Sequence, residues 1–292
     1  MGKDEMAMGW YVVGFIDLLG QQEELRSLTK LPDNENREEN EAFIEVVKKT
    51  VGRVLRFKKT FVEFFDAFNS EDIFKDPRVM AMNLQVEENH YKGNDVRIQQ
   101  FSDCVIAYAS LCDETYKSPT QGIYAILTAI ATSFLTFLVR GVPLRGGIDI
   151  GLGVEISENN FYGPALARAY TLESKIAQYP RIVLGDELIQ YLNMREACEG
   201  KDPVDIYNKV LAGLCKRLIC IDDDGYPMVD YLCDDMMEYL RTSGREAFVA
   251  DAFKFIVDQS NIWKELKDCK KAFRYTLLRN YFEGRQGVPA AN

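Results

Sequence analysis

Apolar and polar positions divide the first half of the chain into alternating strand-like and helix-like segments. Residues 10–19 form an almost continuous apolar run, and apolar side chains then recur at three- and four-residue steps as far as Phe68. A strand or hairpin is expected over residues 97–110, a buried helix over 120–140 and a glycine-rich strand over 143–155. This order predicts an α+β fold with a ferredoxin-like split βαβ core, in which helices cover one side of an antiparallel sheet.

The second half of the chain predicts further short elements. We expect a helix over residues 163–178, a strand over 181–184, helices near 186–197 and 203–213, and strands over 216–221 and 226–232. The acidic run at residues 222–225 lies between the last two strands, and it lacks the alternating ligand spacing of a calcium loop, so a hairpin turn is favoured. Two helices follow over residues 234–282. The predicted organisation is a main domain over residues 8–232 and a C-terminal helical extension over 233–292.

Composition and charge narrow the class of protein. The chain has 292 residues, 47% of them hydrophobic, and a net charge of -10, which argues against a generally basic nucleic-acid-binding surface. Seven cysteines without a CxxC pair and no apolar signal at the start of the chain indicate a reduced, cytoplasmic protein. His90 is the single histidine, which excludes zinc sites that need several histidines.

The longest apolar segment, residues 122–139, raises the question of a membrane span. It contains Thr, Ser and Tyr, and it lies between two strands that are expected to pair. We therefore expect a buried helix that covers the sheet and no stable insertion into a membrane.

Two acids lie at the ends of neighbouring strand-like segments. Asp17 ends the first one, and by alternation Asp103 shares a face with Arg97 and Gln99 in the second. Two carboxylates buried close together are costly unless a cation shares them. The alternative is a pair of rim acids that make ordinary hydrogen bonds.

Five short motifs occur in a characteristic order along residues 8–232. They are FIDLLG at 15–20, FSD at 101–103, RGGIDIG at 145–151, YG at 162–163 and LES at 172–174. This ordered set resembles the class III nucleotidyl cyclase homology domain. The resemblance implies a nucleotidyl cyclase fold and an enzyme in which the 3′-hydroxyl of a nucleoside triphosphate attacks its own α-phosphorus.

The resemblance also implies a metal site. Asp17, the backbone of Leu18 and Asp103 would hold two Mn²⁺ or Mg²⁺ ions, which are commonly bound by one or two carboxylates and the substrate phosphates. Phe15, Leu19 and Gly20 belong to the same motif and would lie against the substrate. In this family the site forms at a homodimer interface, so Gln99 and Asn160 would come from the second protomer.

The chain departs from the family at the catalytic helix. Ala167 and Thr171 stand where the family has an Asn and an Arg that stabilise the transferring phosphate. Arg168 is the candidate substitute, and a solvated surface arginine is the alternative. Arg217, expected in the penultimate strand, is a candidate contact for the terminal phosphates, and Arg97 is a further candidate substrate contact.

The residues expected to recognise the base also differ from those of the family. Gln99 and Asn160 match neither the adenine nor the guanine set of the family, and each offers both donors and acceptors. A pyrimidine explains this pair, although Gln99 simply filling a sheet position is an equal alternative. The chain thereby resembles the bacterial pyrimidine cyclases of the Pycsar anti-phage system, which implies UTP, or next CTP, as substrate and a separate effector activated by the cyclic nucleotide.

Three other functions remain open. The missing Asn and Arg favour a cyclase-like module that binds a nucleotide without turnover, and a purine cyclase is a further alternative. A diguanylate-cyclase-like polymerase shares the split βαβ core but expects a GGD/EEF hairpin, where this chain has QFSDCV.

Overall fold

The computed structural model describes residues 7–21, 28–33, 36–69, 95–111, 119–157 and 160–285, so His90 lies outside the described residues. Strands β1 to β8 are Ala7–Leu18, Arg97–Phe101, Cys104–Ser110, Leu144–Ser157, Asn160–Tyr162, Ile182–Leu184, Ile219–Ile221 and Pro227–Val229. Helices α1 to α8 are Arg37–Phe68, Pro119–Val139, Pro164–Thr171, Asp186–Glu196, Pro203–Arg217, Asp234–Thr242, Ala247–Glu265 and Cys269–Glu283. A π-helical turn, Leu172–Ile176, continues α3.

The described strands form one sheet in the order β2-β3-β1-β4-β6-β8-β7, with β5 paired to β4. β1 runs antiparallel to both β3 and β4, and β2 runs antiparallel to β3. With α1 between β1 and β2 and α2 between β3 and β4, this is the split βαβ arrangement, and the predicted α+β fold is confirmed. The described pairings are antiparallel, as predicted, except that β6 pairs with β4 in parallel.

The two faces of the sheet are covered unequally. Val12 and Ile16 of β1 belong to the large core that α1 and α2 close, whereas Val13 and Phe15 belong to a smaller apolar cluster on the opposite face. The short helix α3 packs there through Ala165. Helices therefore lie on both sides of the sheet, not on one. The apolar cluster on the α3 side is the smaller of the two.

Helix α2 is long and apolar enough to cross a membrane by length and composition, but 89% of its most apolar window is buried in the structure. Three threonine hydroxyls within it, those of Thr128, Thr132 and Thr136, donate to backbone carbonyl oxygens four residues earlier. These three hydroxyls are thus satisfied locally while the apolar surface of the helix packs in the core. The predicted buried helix is confirmed.

The glycines of β4 allow α3 to approach the sheet closely. A Cβ atom on Gly147 would meet the backbone oxygen of Ala169 at a separation that real Cβ atoms do not show. The glycine-rich strand expected from the sequence therefore has a packing role: it sets the distance between β4 and the helix that carries Arg168.

The C-terminal part differs from the prediction. Over residues 230–285, where two helices were expected, the structure has three, and Phe253 and Phe282 belong to the same large core as α2. The acidic run forms the predicted turn between β7 and β8, where the fully buried Arg181 pairs with Asp222 and Asp224.

Candidate active site

Strand register brings the two acids of interest to one edge of the sheet. Asp17, near the end of β1, lies directly opposite Cys104, the first residue of β3. Residues directly opposite in an antiparallel pair project to the same face. Asp103 immediately precedes Cys104 in the tight turn between β2 and β3, where Ser102 adopts a positive φ of 54°. Asp103 thus lies in the turn, not on the strand of Gln99 as the sequence suggested.

The acids and the cysteine form a compact cluster. One carboxylate oxygen each of Asp17 and Asp103 and the sulfur of Cys104 all lie within 4.8 Å of one another. Cys104 Sγ donates to Asp17 Oδ1 at 3.5 Å. Asp103 is 9% exposed, and in the part of the chain that the structure describes its carboxylate receives no hydrogen bond and no ion pair. Its oxygens are not among the enclosed, unpaired polar atoms of the described residues, so the carboxylate is open on one side to water or to a cation.

Two residues that the sequence analysis did not single out complete the cluster. Arg145 of β4 lies opposite Asp17 in the strand register, with its Nη2 3.4 Å from Asp17 Oδ2. Arg145 Nε also donates to Glu173 Oε1 at 2.7 Å, and the buried Glu173 is placed there by the π-helical turn. Both residues belong to motifs that carry the family resemblance, and the β1–β4 register is the signal that would have brought them to the site.

The electrostatics of the cluster favour a cation. Burial, with the nearby carboxylates of Glu173 and Asp103, raises the pKa of Asp17 to about 6, although Arg145 and the Cys104 hydrogen bond oppose this rise. Burial and the same acids also raise the pKa of the Cys104 thiol. With three carboxylates against one guanidinium, the ionised cluster has a surplus of negative charge.

The residues present fit a hard divalent ion. Asp17 and Asp103 supply carboxylate oxygens on adjacent segments, and the backbone N–H of Leu18 donates to the Asp103 backbone oxygen at 3.3 Å, which holds the two segments together. The Leu18 side chain is buried in the large core, so only its backbone is available on the site side. Two carboxylates with an open side are the usual protein contribution to a Mg²⁺ or Mn²⁺ site.

The three motif residues around Asp17 border the acid cluster in different ways. The Phe15 ring lies edge-on to Tyr170 of α3, with 5.3 Å between ring centroids. Leu19 donates its backbone N–H to Pro143, and Gly20 turns the chain with a φ of 87°. Phe15 thus precedes Asp17 on β1, and Leu19 and Gly20 follow it in the turn after the strand.

The candidate base-binding residues lie on β2 and β5, which are joined by a side-chain hydrogen bond. Gln99 Oε1 accepts a hydrogen bond from the backbone N–H of Phe161 at 3.0 Å, beside the exposed Asn160. Because the backbone N–H can only donate, the Gln99 carbonyl oxygen faces Phe161 and its NH₂ group is left to donate elsewhere. Arg97 forms a short ion pair with Glu155. Gln99 and Asn160 are thus neighbours within one chain.

Arg168, the arginine of α3, is not part of the acid cluster. Arg168 Nη1 donates to the Ile150 backbone oxygen and pairs with Glu187, both at 3.2 Å. It lines an open pocket of about 550 Å³ between α3 and α4. Ala167 and Thr171, which stand where the family has an Asn and an Arg, line the same pocket. The structure therefore groups Arg168 with those positions, while Tyr170 is the α3 residue that contacts the β1 side.

Arg217 was misplaced by the sequence analysis. It is the last residue of α5, not part of a strand, because the helix continues four residues further than expected. Its guanidinium pairs with Asp235 at the start of α6. Arg145, not Arg217, is the guanidinium that contacts the acid cluster.

Comparisons with known proteins give a distant likeness. No protein-family model and no curated protein matches the chain. Among solved structures, two that are described as a bacterial light-regulated adenylyl cyclase match with a TM-score of 0.39 each, at 14% and 13% identity over 82% and 84% of this chain. The chain spans 58% and 59% of those two chains, less than two thirds of either. The function proposed below rests on the geometry of the site and not on this likeness.

Proposed function

We propose that the protein is a metal-dependent nucleotidyl cyclase that acts on a pyrimidine nucleoside triphosphate, with UTP preferred over CTP. The observation that carries the proposal is the proximity of Asp17 and Asp103, whose carboxylate oxygens lie within 4.8 Å of each other on adjacent segments. The Asp103 carboxylate has no hydrogen-bond donor among the described residues, so its oxygens are available to an ion.

In this proposal the chain's own residues hold and orient the substrate. Asp17 and Asp103, with the Leu18 backbone, hold two Mn²⁺ or Mg²⁺ ions, which neutralise phosphate charge and make the 3′-hydroxyl more acidic when bound. Arg145 keeps Asp17 in place through its contact at 3.4 Å, and its guanidinium is 17% exposed. A phosphate at the acid cluster would therefore meet this guanidinium directly.

The base is read by Gln99 and Asn160. With its oxygen occupied by Phe161, Gln99 presents its NH₂ group, which complements a carbonyl oxygen such as those of uracil. The Asn160 amide can turn either way, so it is suited to the ring N–H of uracil or to the ring nitrogen of cytosine. We assign these two residues to the partner protomer of a homodimer with two equivalent sites.

The wider role follows from the resemblance to the Pycsar cyclases. A cytoplasmic enzyme of this kind would produce cyclic UMP during phage infection and thereby activate a separate effector. Nucleic acid is not its substrate, in keeping with the net charge of -10.

The test is incubation of the purified protein with each of the four ribonucleoside triphosphates and Mn²⁺, followed by chromatography of the products. We expect cyclic UMP, less cyclic CMP, and loss of both on Asp17→Ala or Asp103→Ala. A cyclic product from ATP or GTP alone would remove the pyrimidine assignment and leave the cyclase. Activity retained by either variant contradicts the metal assignment.

A second candidate function is nucleotide binding without turnover. The observation that favours it is Ala167 and Thr171 at the positions of the family's Asn and Arg. Calorimetric titration with UTP and Mn²⁺ separates the two, because binding without any cyclic product over hours supports the inactive module.

A further inference from the structure

The cysteine between the two acids has no role in the proposed cyclisation. Cys104 projects to the same face as Asp17, and its sulfur lies 3.5 Å from Asp17 Oδ1. Sulfur is a soft donor, whereas Mg²⁺ prefers oxygen ligands and keeps much of its water. A thiol at this position therefore changes which cations the acid pair can bind.

The spacing of the cluster suits a small tetrahedral ion. Zinc–oxygen and zinc–sulfur bonds of about 2.0–2.3 Å place neighbouring ligand atoms about 3.5 Å apart in a tetrahedron. The sulfur and the Asp17 oxygen already have this separation, and all three ligand atoms lie within 4.8 Å. Closing the cluster around an ion thus requires a side-chain movement of about 1 Å.

Asp103 gives an independent indication that a ligand belongs here. The residue is 9% exposed, its oxygen lies within 4.8 Å of the other two ligand atoms, and its carboxylate has no hydrogen-bond donor among the described residues. Asp17 is already held by Arg145 and by Cys104, so Asp103 is the acid whose oxygens an ion can contact without displacing a protein donor.

We propose that Asp17, Asp103 and Cys104 together bind one thiophilic divalent cation of the Zn²⁺, Co²⁺ or Cd²⁺ class. On binding, the Cys104 S–H bond breaks, the sulfur electron pair forms the metal–sulfur bond, and one proton goes to solvent, so nothing is oxidised or reduced. The inference rests on the proposed metal role of the acid pair and adds that such a cation competes there with Mn²⁺ or Mg²⁺. Zinc is then an inhibitor of the cyclase.

The test is spectroscopic and does not depend on turnover. Titration of the full chain with Co²⁺ is expected to give a sulfur-to-cobalt charge-transfer band that saturates at one equivalent and is displaced by Zn²⁺. Cys104→Ser, which keeps the size but replaces the soft donor, should lose the band and bind Zn²⁺ roughly 100-fold more weakly, since even outer-shell changes cost 10–100-fold. Cys269→Ser, at an exposed cysteine on α8, is the matched control and should keep the band.

Each outcome decides the inference. A band that survives in Cys104→Ser, bound Co²⁺ without a band in the wild type, or no Co²⁺ binding at all would overturn it. Circular dichroism of Cys104→Ser and of Cys104→Ala excludes loss of the fold as the cause of a missing band. If the protein shows the cobalt–sulfur band but forms no cyclic nucleotide with Mn²⁺, the three-ligand site is supported and the cyclase proposal fails. If it forms a cyclic nucleotide but shows no band, the cyclase proposal is supported and the three-ligand site fails.

Discussion

Replacing Asp17 by asparagine should stabilise the metal-free protein while abolishing its response to Mn²⁺. The folded protein raises the pKa of Asp17 from 3.8 to about 6, mainly because of burial and then because of Glu173 and Asp103. Since one pKa unit corresponds to about 1.36 kcal/mol, the ionised carboxylate destabilises the folded state by about 3 kcal/mol above pH 6. An asparagine side chain resembles the protonated acid in shape and has no charge, so Asp17→Asn should recover much of this free energy.

The sign of the pH dependence follows from the direction of the shift. Because the pKa of the Asp17 carboxyl is higher in the folded state than in the unfolded state, the folded protein is more stable when this carboxyl is protonated. The wild type therefore loses about 3 kcal/mol of its free energy of unfolding as the pH rises from 3.8 to about 6. The advantage of Asp17→Asn should therefore be full at pH 8, shrink as the pH falls through 6 and vanish near pH 4. At pH 8 we expect a rise in Tm of up to about 5 °C in EDTA.

Thermal unfolding at pH 8 and pH 5, with and without Mn²⁺ and at one protein concentration, measures both effects. Mn²⁺ at about 100 times its dissociation constant should stabilise the wild type by about 2.7 kcal/mol and leave Asp17→Asn unaffected. Asp251→Asn, at an exposed position on α7, controls for loss of one negative charge. An unchanged or lower Tm of Asp17→Asn at pH 8 refutes the electrostatic argument, and a retained Mn²⁺ response refutes the ligand assignment.

Three further changes test the fold around the site by chemical denaturation. Ser102→Gly should stabilise the protein by about 0.5–1 kcal/mol, because a non-glycine residue at a φ of 54° is strained, and a loss of stability would contradict this. Gly147→Ala should lower the free energy of unfolding by about 1–3 kcal/mol, because the new Cβ meets the Ala169 backbone. The control is Gly213→Ala in α5, whose Cβ meets no atom closer than 3.9 Å, so this change should be neutral or stabilising. Equal effects of the two changes would refute the packing role of Gly147. Arg181→Met should cost about 3 kcal/mol, since it removes the buried partner of the β7–β8 turn, and an effect below about 0.5 kcal/mol would show that the turn does not need it.

The sequence predicted the core topology because the periodicity of each segment is strong. The strand expected over residues 10–19 and the buried helix expected over 120–140 fall within three residues of β1 and α2, and the helical repeat ends at Phe68, where α1 ends. The number of C-terminal helices was harder to predict, because short polar breaks such as that after Thr242 resemble exposed positions within a helix.

The site was predicted only in part, for a similar reason. Motif order identified Asp17 and Asp103, but the roles of Arg145 and Glu173 depend on strand register and on a π-helical turn that no local pattern reveals. Arg217 was misplaced because the apolar residues 218–221 follow it directly, so that the last turn of α5 was joined to the strand Ile219–Ile221. Tertiary register thus decides which charged side chains meet, and charge pattern alone does not.

The positions of Asp17 and Arg168 make the proposed dimer testable through complementation. Arg168 faces Glu187 and α4, on the side of α3 away from the ring of Phe15, so one chain does not present both residues to one substrate. If each site takes Asp17 from one protomer and Arg168 from its partner, a heterodimer of Asp17→Ala and Arg168→Ala has one intact site. Random reassociation forms heterodimers as half of all dimers, so an equimolar mixture of the two inactive variants should recover about a quarter of the wild-type activity.

A mixture of Asp17→Ala with Asp103→Ala is the matched control for this experiment. It should stay inactive, because both variants damage the same half of each site. Heterodimers that are detected by mass spectrometry but have no activity would show that Arg168 and Asp17 do not act on one substrate across the interface. Arg168 would then be a surface arginine paired with Glu187, and the cyclase would need another group to stabilise the transferring phosphate.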